Sequence, residues 1–291
     1  MEKTEIVLMA YGTPKKKEDI PYYLKEIMHG REVSQSLIDE ITYRYEKIGF
    51  SPLKDTTSKQ AEMLEKELNR RGVQAKVHIG MKHWKPSIKQ AVDEIDTDKN
   101  STVIGLVAHP FSSVAGSGEY KKILKEYSKG RTLFIDRWYD YEELYDAWKE
   151  KAVMRIKEFN GEDFRTIFSS HGLPSSIKDG EYRKELAYFS ERLAGKLGLK
   201  DYCLAYQNGG HKDWYKPDVK DEIKRENKNI LLIPIGYISE SLETLYDIDI
   251  EYAGMAERLG INFKRVGCIG KSDLVIKAIA SAVMDKIKSN K

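Results

Sequence analysis

Short runs of β-forming residues alternate with amphipathic helical stretches along the whole chain, and that alternation leaves few folds open. Parallel strands need a long crossover between them, usually a helix, so the pattern selects an α/β protein built on parallel sheets. The strands expected are 5–10, 74–79, 102–108 and 132–136, followed by 166–169, 202–206, 229–235 and 262–266. Helical periodicity predicts helices over 58–71, 141–157, 182–197 and 272–288, the first with Thr56, Thr57 and Ser58 as N-cap candidates. At 291 residues the chain is about twice a common domain length, and the strands divide four and four. The reading is two similar Rossmann-like lobes, 1–150 and 151–291, each a four-stranded parallel sheet flanked by helices, with the last helix free to pack back on the first lobe.

The two halves share a turn. The first strand runs into Ala10-Tyr11-Gly12-Thr13-Pro14 and the fifth into Ser170-His171-Gly172-Leu173-Pro174. Gly permits a sharp exit and Pro fixes the next bend, so the residue before Gly is presented at the carboxyl end of the strand, where open α/β sheets bind ligands. If the lobes are related, Tyr11 and His171 are equivalent positions facing one another across a cleft.

Composition closes off other classes. Apolar residues make up 41% and charged residues 33%, enough for a real core and unlike a disordered chain. A net charge of +3, spread along the chain, gives no footprint for nucleic acid. The longest nearly unbroken apolar run, 230–238, contains Pro234 and Gly236 and is far shorter than the ~20 residues that span a bilayer. Residues 1–5 lead straight into a strand without a signal-peptide pattern, so a cytoplasmic protein is expected. Cys203 and Cys268 are expected as buried free thiols, and two cysteines are too few for a four-thiolate iron-sulfur cluster.

Several residues carry candidate chemistry. A neutral imidazole at His171 is placed to take a proton or to ligate a borderline metal. The serines beside it form no Gly-x-Ser-x-Gly elbow, which argues against a hydrolase. After the apolar run at 229–235 come Glu243, Asp247 and Glu251, spaced i, i+4, i+8. On an α-helix these carboxylates share one side, and they fall more nearly in line in a π-helix. Such a stripe is usually a solvated face, but this one starts at a strand's carboxyl end, where hard cations or protons can be passed inward. His83 also leaves a strand end, in Gly80-Met81-Lys82-His83, and is either functional or a surface loop residue. Residues 115–120 are glycine-rich but lack a dinucleotide or phosphate-loop fingerprint.

Taken together, Met9 to Pro14, Arg44-Tyr45-Glu46-Lys47-Ile48-Gly49 with Ser51-Pro52-Leu53, Gly80 to His83, Ser169-Ser170-His171-Gly172-Leu173-Pro174, and Glu243-Thr244-Leu245-Tyr246-Asp247 with Glu251 resemble the motifs of ferrochelatases, in the same order. The resemblance is nearest to the soluble Gram-positive type that acts on coproporphyrin. Gln207 and the stretch 214–218 add weaker matches. Three departures lie near the porphyrin rim: a shortened loop at Gly180-Glu181-Tyr182, Phe50 in place of a second glycine, and Met28 where an arginine is expected.

The resemblance implies an enzyme of haem biosynthesis that inserts Fe²⁺ into coproporphyrin III or protoporphyrin IX held in the cleft. His171 and Glu243 would be catalytic, and His171, Glu243, Asp247 and Glu251 would handle the metal. Tyr11 would approach the opposite porphyrin face, while Arg44, Tyr45, Ser51 and Tyr120 would hold propionates. No resident cofactor is implied, since Fe²⁺ is a substrate, and the acceptor of the haem is not named by the sequence. Two other readings keep the fold: a cobalt or siroheme-type chelatase, and a two-lobed small-molecule binding protein without catalysis.

Overall fold

A computed structural model of the chain describes residues 4–95, 102–113, 116–209 and 211–290. Ala115, in the glycine-rich segment, lies outside the described residues. The first lobe contains β1 (Thr4–Ala10), α1 (Ile20–Ile27), α2 (Gln35–Ile48), α3 (Leu53–Arg70), β2 (Ala75–Met81), α4 (Ile88–Asp93), β3 (Thr102–Val107), α5 (Ser117–Tyr127) and β4 (Arg131–Ile135). Helix α6 (Glu142–Lys157) leads to the second lobe, so residue 150 falls inside a helix. There follow β5 (Phe164–His171), α7 (Gly180–Leu197), β6 (Tyr202–Gln207), α8 (Val219–Arg225) and β7 (Asn229–Ile233). A π-helix (Glu243–Tyr252), α9 (Ala253–Arg258), β8 (Phe263–Arg265) and α10 (Asp273–Lys288) complete the chain.

Both sheets are four-stranded and parallel, in the orders β2-β1-β3-β4 and β6-β5-β7-β8. The α/β class and the two-sheet arrangement expected from the alternation are therefore what the chain folds into. Ile6, Val7, Leu8 and Met9 of β1 are all fully buried. Helices cover both faces of such a sheet, so its central strands read as continuous apolar runs and not as alternation.

The matching strand orders place β1 and β5 at the same point in their lobes. In each order the chain reverses direction across the sheet between β1 and β3, or between β5 and β7, and a crevice opens at the carboxyl ends there. The loops after those four strands supply the walls of the site described below.

One core runs through both lobes. Leu8 and Ile104 of the first sheet, Phe168 and Ile233 of the second, and Trp148 of α6 belong to the same buried cluster. Helix α10 packs against α3 and α6 and buries Val275, Ile276, Ile279 and Val283. Each such side chain stabilises by about 1.5–3 kcal/mol relative to exposure. Cys203 and Cys268 are free thiols as expected, but only Cys268 is buried, since Cys203 on the edge strand β6 is half-buried; desolvation raises both thiols, Cys203 to about 11. Among the described residues no helix is long and apolar enough to cross a membrane.

Candidate active site

A cavity of about 490 Å³ lies between the lobes. Its walls include Tyr11, Lys82, His83, His109 and Tyr120 from the first lobe, and His171, Tyr182, Tyr237 and Glu243 from the second. The insertion carrying α1 to α3 contributes Tyr23, Tyr45 and Ser51.

The two shared turns reach this cavity for different physical reasons. Gly12 has φ +100°, a conformation open to glycine and strained for other residues. At Gly172 the need is space, because a Cβ there would sit 1.8 Å from the amide oxygen of Asn208. A third glycine joins two strands: a Cβ on Gly236 would lie 2.0 Å from Ser170 Oγ. That close approach brings the loop after β7 against the end of β5, and so sets Glu243 and His171 in one wall.

His171 ends β5 and lines the cavity, crowded by protein on its sides but still open to the cavity's solvent. The edge of Trp214 meets it with ring centroids 5.5 Å apart, and the Tyr182 hydroxyl lies 3.2 Å from the His171 carbonyl oxygen as donor. Burial lowers the imidazole's affinity for a proton, Glu243 opposes that, and His211 adds to it. The ring is thus neutral at neutral pH, with an anionic carboxylate near enough to stabilise it once it accepts a proton.

Glu243 opens the π-helix and accepts from the Ser241 hydroxyl at 2.5 Å. Hydrogen bonds from i to i+5 widen each turn, so residues four apart come nearly into line. Asp247 and Glu251 therefore follow Glu243 as a file leading away from the cavity. Burial first, then the charge of Glu243, pushes the Asp247 carboxyl up to about 7, while Arg44 pulls the other way. Glu251 is paired with Lys220 at 3.0 Å. Among the described residues no three His, Cys, Asp or Glu side chains are gathered to hold a metal ion.

Tyr11 stands on the first-lobe wall, its ring 4.7 Å from that of His83. Burial, with Glu243 and Glu119, raises its phenol to about 12. His83 is held down to about 4 by burial and Lys82, so it too is neutral. The Lys82 side chain is nearly buried, ion-paired with Glu119 and poised over the rings of Tyr11 and Tyr120.

His171, Glu243, Tyr11, Tyr45, Ser51 and Tyr120 all line the one cavity. Arg44 does not. Its guanidinium donates to Glu40 at 2.7 Å and to Asp247 at 3.3 Å, and lies 3.8 Å from Glu251. The expected propionate partner is committed to carboxylates of the protein, because α2 packs beside the π-helix. Asp247 and Glu251 likewise lie beyond the cavity wall. Sequence reading passed over His109, which follows β3 just as Tyr11 follows β1; burial takes its imidazole down to about 4, with Nδ1 2.9 Å from the Phe111 carbonyl oxygen. Its position at a strand's carboxyl end was the available signal.

Residues 3–287 match the family model described as Ferrochelatase. The chain belongs to the ferrochelatase family. It is an enzyme of metal insertion into porphyrin. It is 32% identical over 306 residues to the coproporphyrin III ferrochelatase of Geobacillus sp. (strain WCH70), covering 99% of both proteins. To the ferrochelatase of Deinococcus radiodurans it is 32% identical over 300 residues, covering 97% of this chain and 95% of that one. In fold it is similar to the sirohydrochlorin chelatase SirB from Bacillus subtilis subspecies spizizenii, solved with cobalt, with a TM-score of 0.59 over 98% of this chain and 95% of that chain at 11% identity. The family's substrates, a porphyrin and iron, suit a cavity with a neutral imidazole and a carboxylate on one wall and a phenol on the other.

Proposed function

We propose that the chain inserts Fe²⁺ into coproporphyrin III, with His171 and Glu243 as the proton- and metal-handling pair. Insertion exchanges two pyrrole protons for one divalent cation, so it needs a base beside the ring nitrogens and a route for the metal. The observation that carries the reading is the placement of His171 and Glu243 on one wall of the cavity with Tyr11 on the other. His171, in its neutral form, accepts one pyrrole proton, releases it to the water of the open cavity and accepts the second, while Glu243 stabilises each imidazolium and hands the cation to the nitrogens. Asp247 and Glu251 bring the cation inward along the π-helix. Tyr11, a phenol that stays protonated at neutral pH, contacts the opposite face. No resident cofactor enters this scheme. Tyr45, Ser51 and Tyr120 lie where propionates of the macrocycle would be held.

Coproporphyrin is placed ahead of protoporphyrin because it has four propionates to meet a polar rim, and because the Geobacillus relative bears its name. Anaerobic incubation with Fe²⁺ and each porphyrin, followed by absorption spectra, tests the reading. A higher kcat/KM for coproporphyrin III is expected. A clear preference for protoporphyrin IX overturns the substrate, and binding without metallation overturns the reaction. Sirohydrochlorin with Co²⁺ serves as the control for the siroheme-type alternative.

A further inference from the structure

A second cavity, of about 290 Å³, opens beside the first. Its walls are Thr13, Lys15, Gly49, Phe50, Ser51, Pro52, Lys54 and Asp55. Thr13 and Ser51 line both cavities, so the smaller one is an annex of the larger. The backbone turns sharply there, with φ +68° at Gly49 and +67° at Phe50, and the Phe50 ring stacks on that of Tyr45 at 5.8 Å.

The charges of the two spaces differ in a telling way. Among the described residues of the main cavity's wall, Lys82 is the one lysine or arginine, and it is ion-paired with Glu119. Arg44 is tied to Glu40, Asp247 and Glu251. Lys15 and Lys54, in contrast, have no side-chain hydrogen bond or ion pair to any described residue. The acid on the same wall is Asp55, while Asp19 accepts from the backbone N–H of Lys15 at 3.1 Å. Ser51 Oγ accepts from the Leu53 N–H at 3.2 Å and keeps its own proton to give. Two uncommitted ammonium groups and a hydroxyl thus outnumber one carboxylate around a space continuous with the macrocycle's cavity. Carboxylates and ammonium groups form charge-assisted hydrogen bonds, and an unpaired pair of cations leaves room for an anionic guest.

We propose that this annex is a carboxylate subsite in which Lys15 and Lys54, with Ser51, receive a propionate from the rim of a porphyrin seated in the main cavity. The proposal rests on the reading that the larger cavity holds the macrocycle, and it assigns selection of carboxylate-rich porphyrins to two lysines. It also supplies the rim with cations where Met28 brings none and Arg44 is engaged elsewhere.

The test is equilibrium binding of coproporphyrin III and of its tetramethyl ester, followed by fluorescence, to the wild type and to the Lys15→Met/Lys54→Met variant. The ester keeps the macrocycle and removes the charges. The variant should bind the free acid about tenfold more weakly, with a shallower salt dependence, and the ester as the wild type does. Matching thermal melts of the two proteins exclude a folding defect, and Lys15→Arg/Lys54→Arg should retain most of the affinity for the acid. An unchanged affinity for the acid overturns the proposal, as does an equal loss for acid and ester. The titration stands apart from the choice of physiological porphyrin, which turnover with Fe²⁺ decides.

Discussion

Arg44 Nη1 stands 3.3 Å from Oδ1 of Asp247, joining α2 of the first lobe to the π-helix of the second across 203 residues of sequence. The contact restrains a carboxyl that burial has raised to about 7. Below that pH Asp247 is neutral and above it anionic, so a file that carries cations should work better as pH rises through about 7. Arg44→Met removes an influence that favours the anion, and should move the rising limb of kcat/KM for Fe²⁺ to higher pH and lower activity at pH 7. A limb that stays in place or moves down refutes this role for the pair. The measurement is anaerobic turnover at saturating porphyrin, with Fe²⁺ varied across the pH range.

Glu243→Gln keeps the shape of the side chain and loses both its charge and its capacity to hold a proton or a divalent cation. Metallation should fall by about 100-fold or more, while the porphyrin dissociation constant changes little. Turnover close to the wild-type rate would show that the carboxylate is not needed in the wall.

Removing His171 and Tyr11 should have unlike effects. His171→Ala takes away the neutral base and should stop insertion. Tyr11, with its phenol raised to about 12, does not release a proton near neutrality, so Tyr11→Phe should leave substantial insertion. The phenol can still ligate an oxidised iron product from the face opposite His171, and its loss should alter the charge-transfer bands of the bound ferric porphyrin. Equal inactivity of the two variants, or an unchanged product spectrum, contradicts this division of labour.

Glu185 of α7 links the lobes from the far side of Tyr182. Its carboxylate accepts from the Ser112 N–H at 2.8 Å and meets Arg137 at 3.0 Å. Burial raises it from its ordinary 4.5 to about 7, with Asp136 and Glu181 adding to the rise and the Ser112 N–H and Arg137 opposing it. The folded state therefore holds the proton more tightly than the unfolded chain. The stability this confers is fully present below pH 4.5 and is lost as pH rises through about 7. Glu185→Gln does not titrate, so its unfolding free energy should fall less between pH 5 and 8, by about 1–3 kcal/mol. Urea unfolding at both pH values checks this, and parallel pH dependence of the two proteins would contradict it.

Some of this is legible in the amino-acid sequence alone. Strand-forming runs, the Gly-x-Pro turns at Gly12 and Gly172, and the spacing of Glu243, Asp247 and Glu251 are local signals. They depend on backbone preferences and side-chain periodicity within a few residues, and the sheets and the π-helix appear where those signals lie. His83 was ambiguous from its loop alone, and its ring proves to be buried against Tyr11 in the cavity wall.

Other assignments needed the packed molecule. Arg44 looks like a free cation at the rim until α2 meets the π-helix and its charge is taken up by Asp247 and Glu251. Lys15 and Lys54 are two lysines among many in the sequence, and only folding sets them around one annex. His109 joins the site because the parallel order puts the end of β3 next to that of β1. The sequence by itself determined the alternating elements, their sharp turns and the line of carboxylates, since each arises from short-range sterics and periodicity. Which charges are free, which imidazoles stay neutral, and which residues share a cavity were decided by tertiary structure. Desolvation and ion pairing act through space, between groups that the chain holds more than two hundred residues apart.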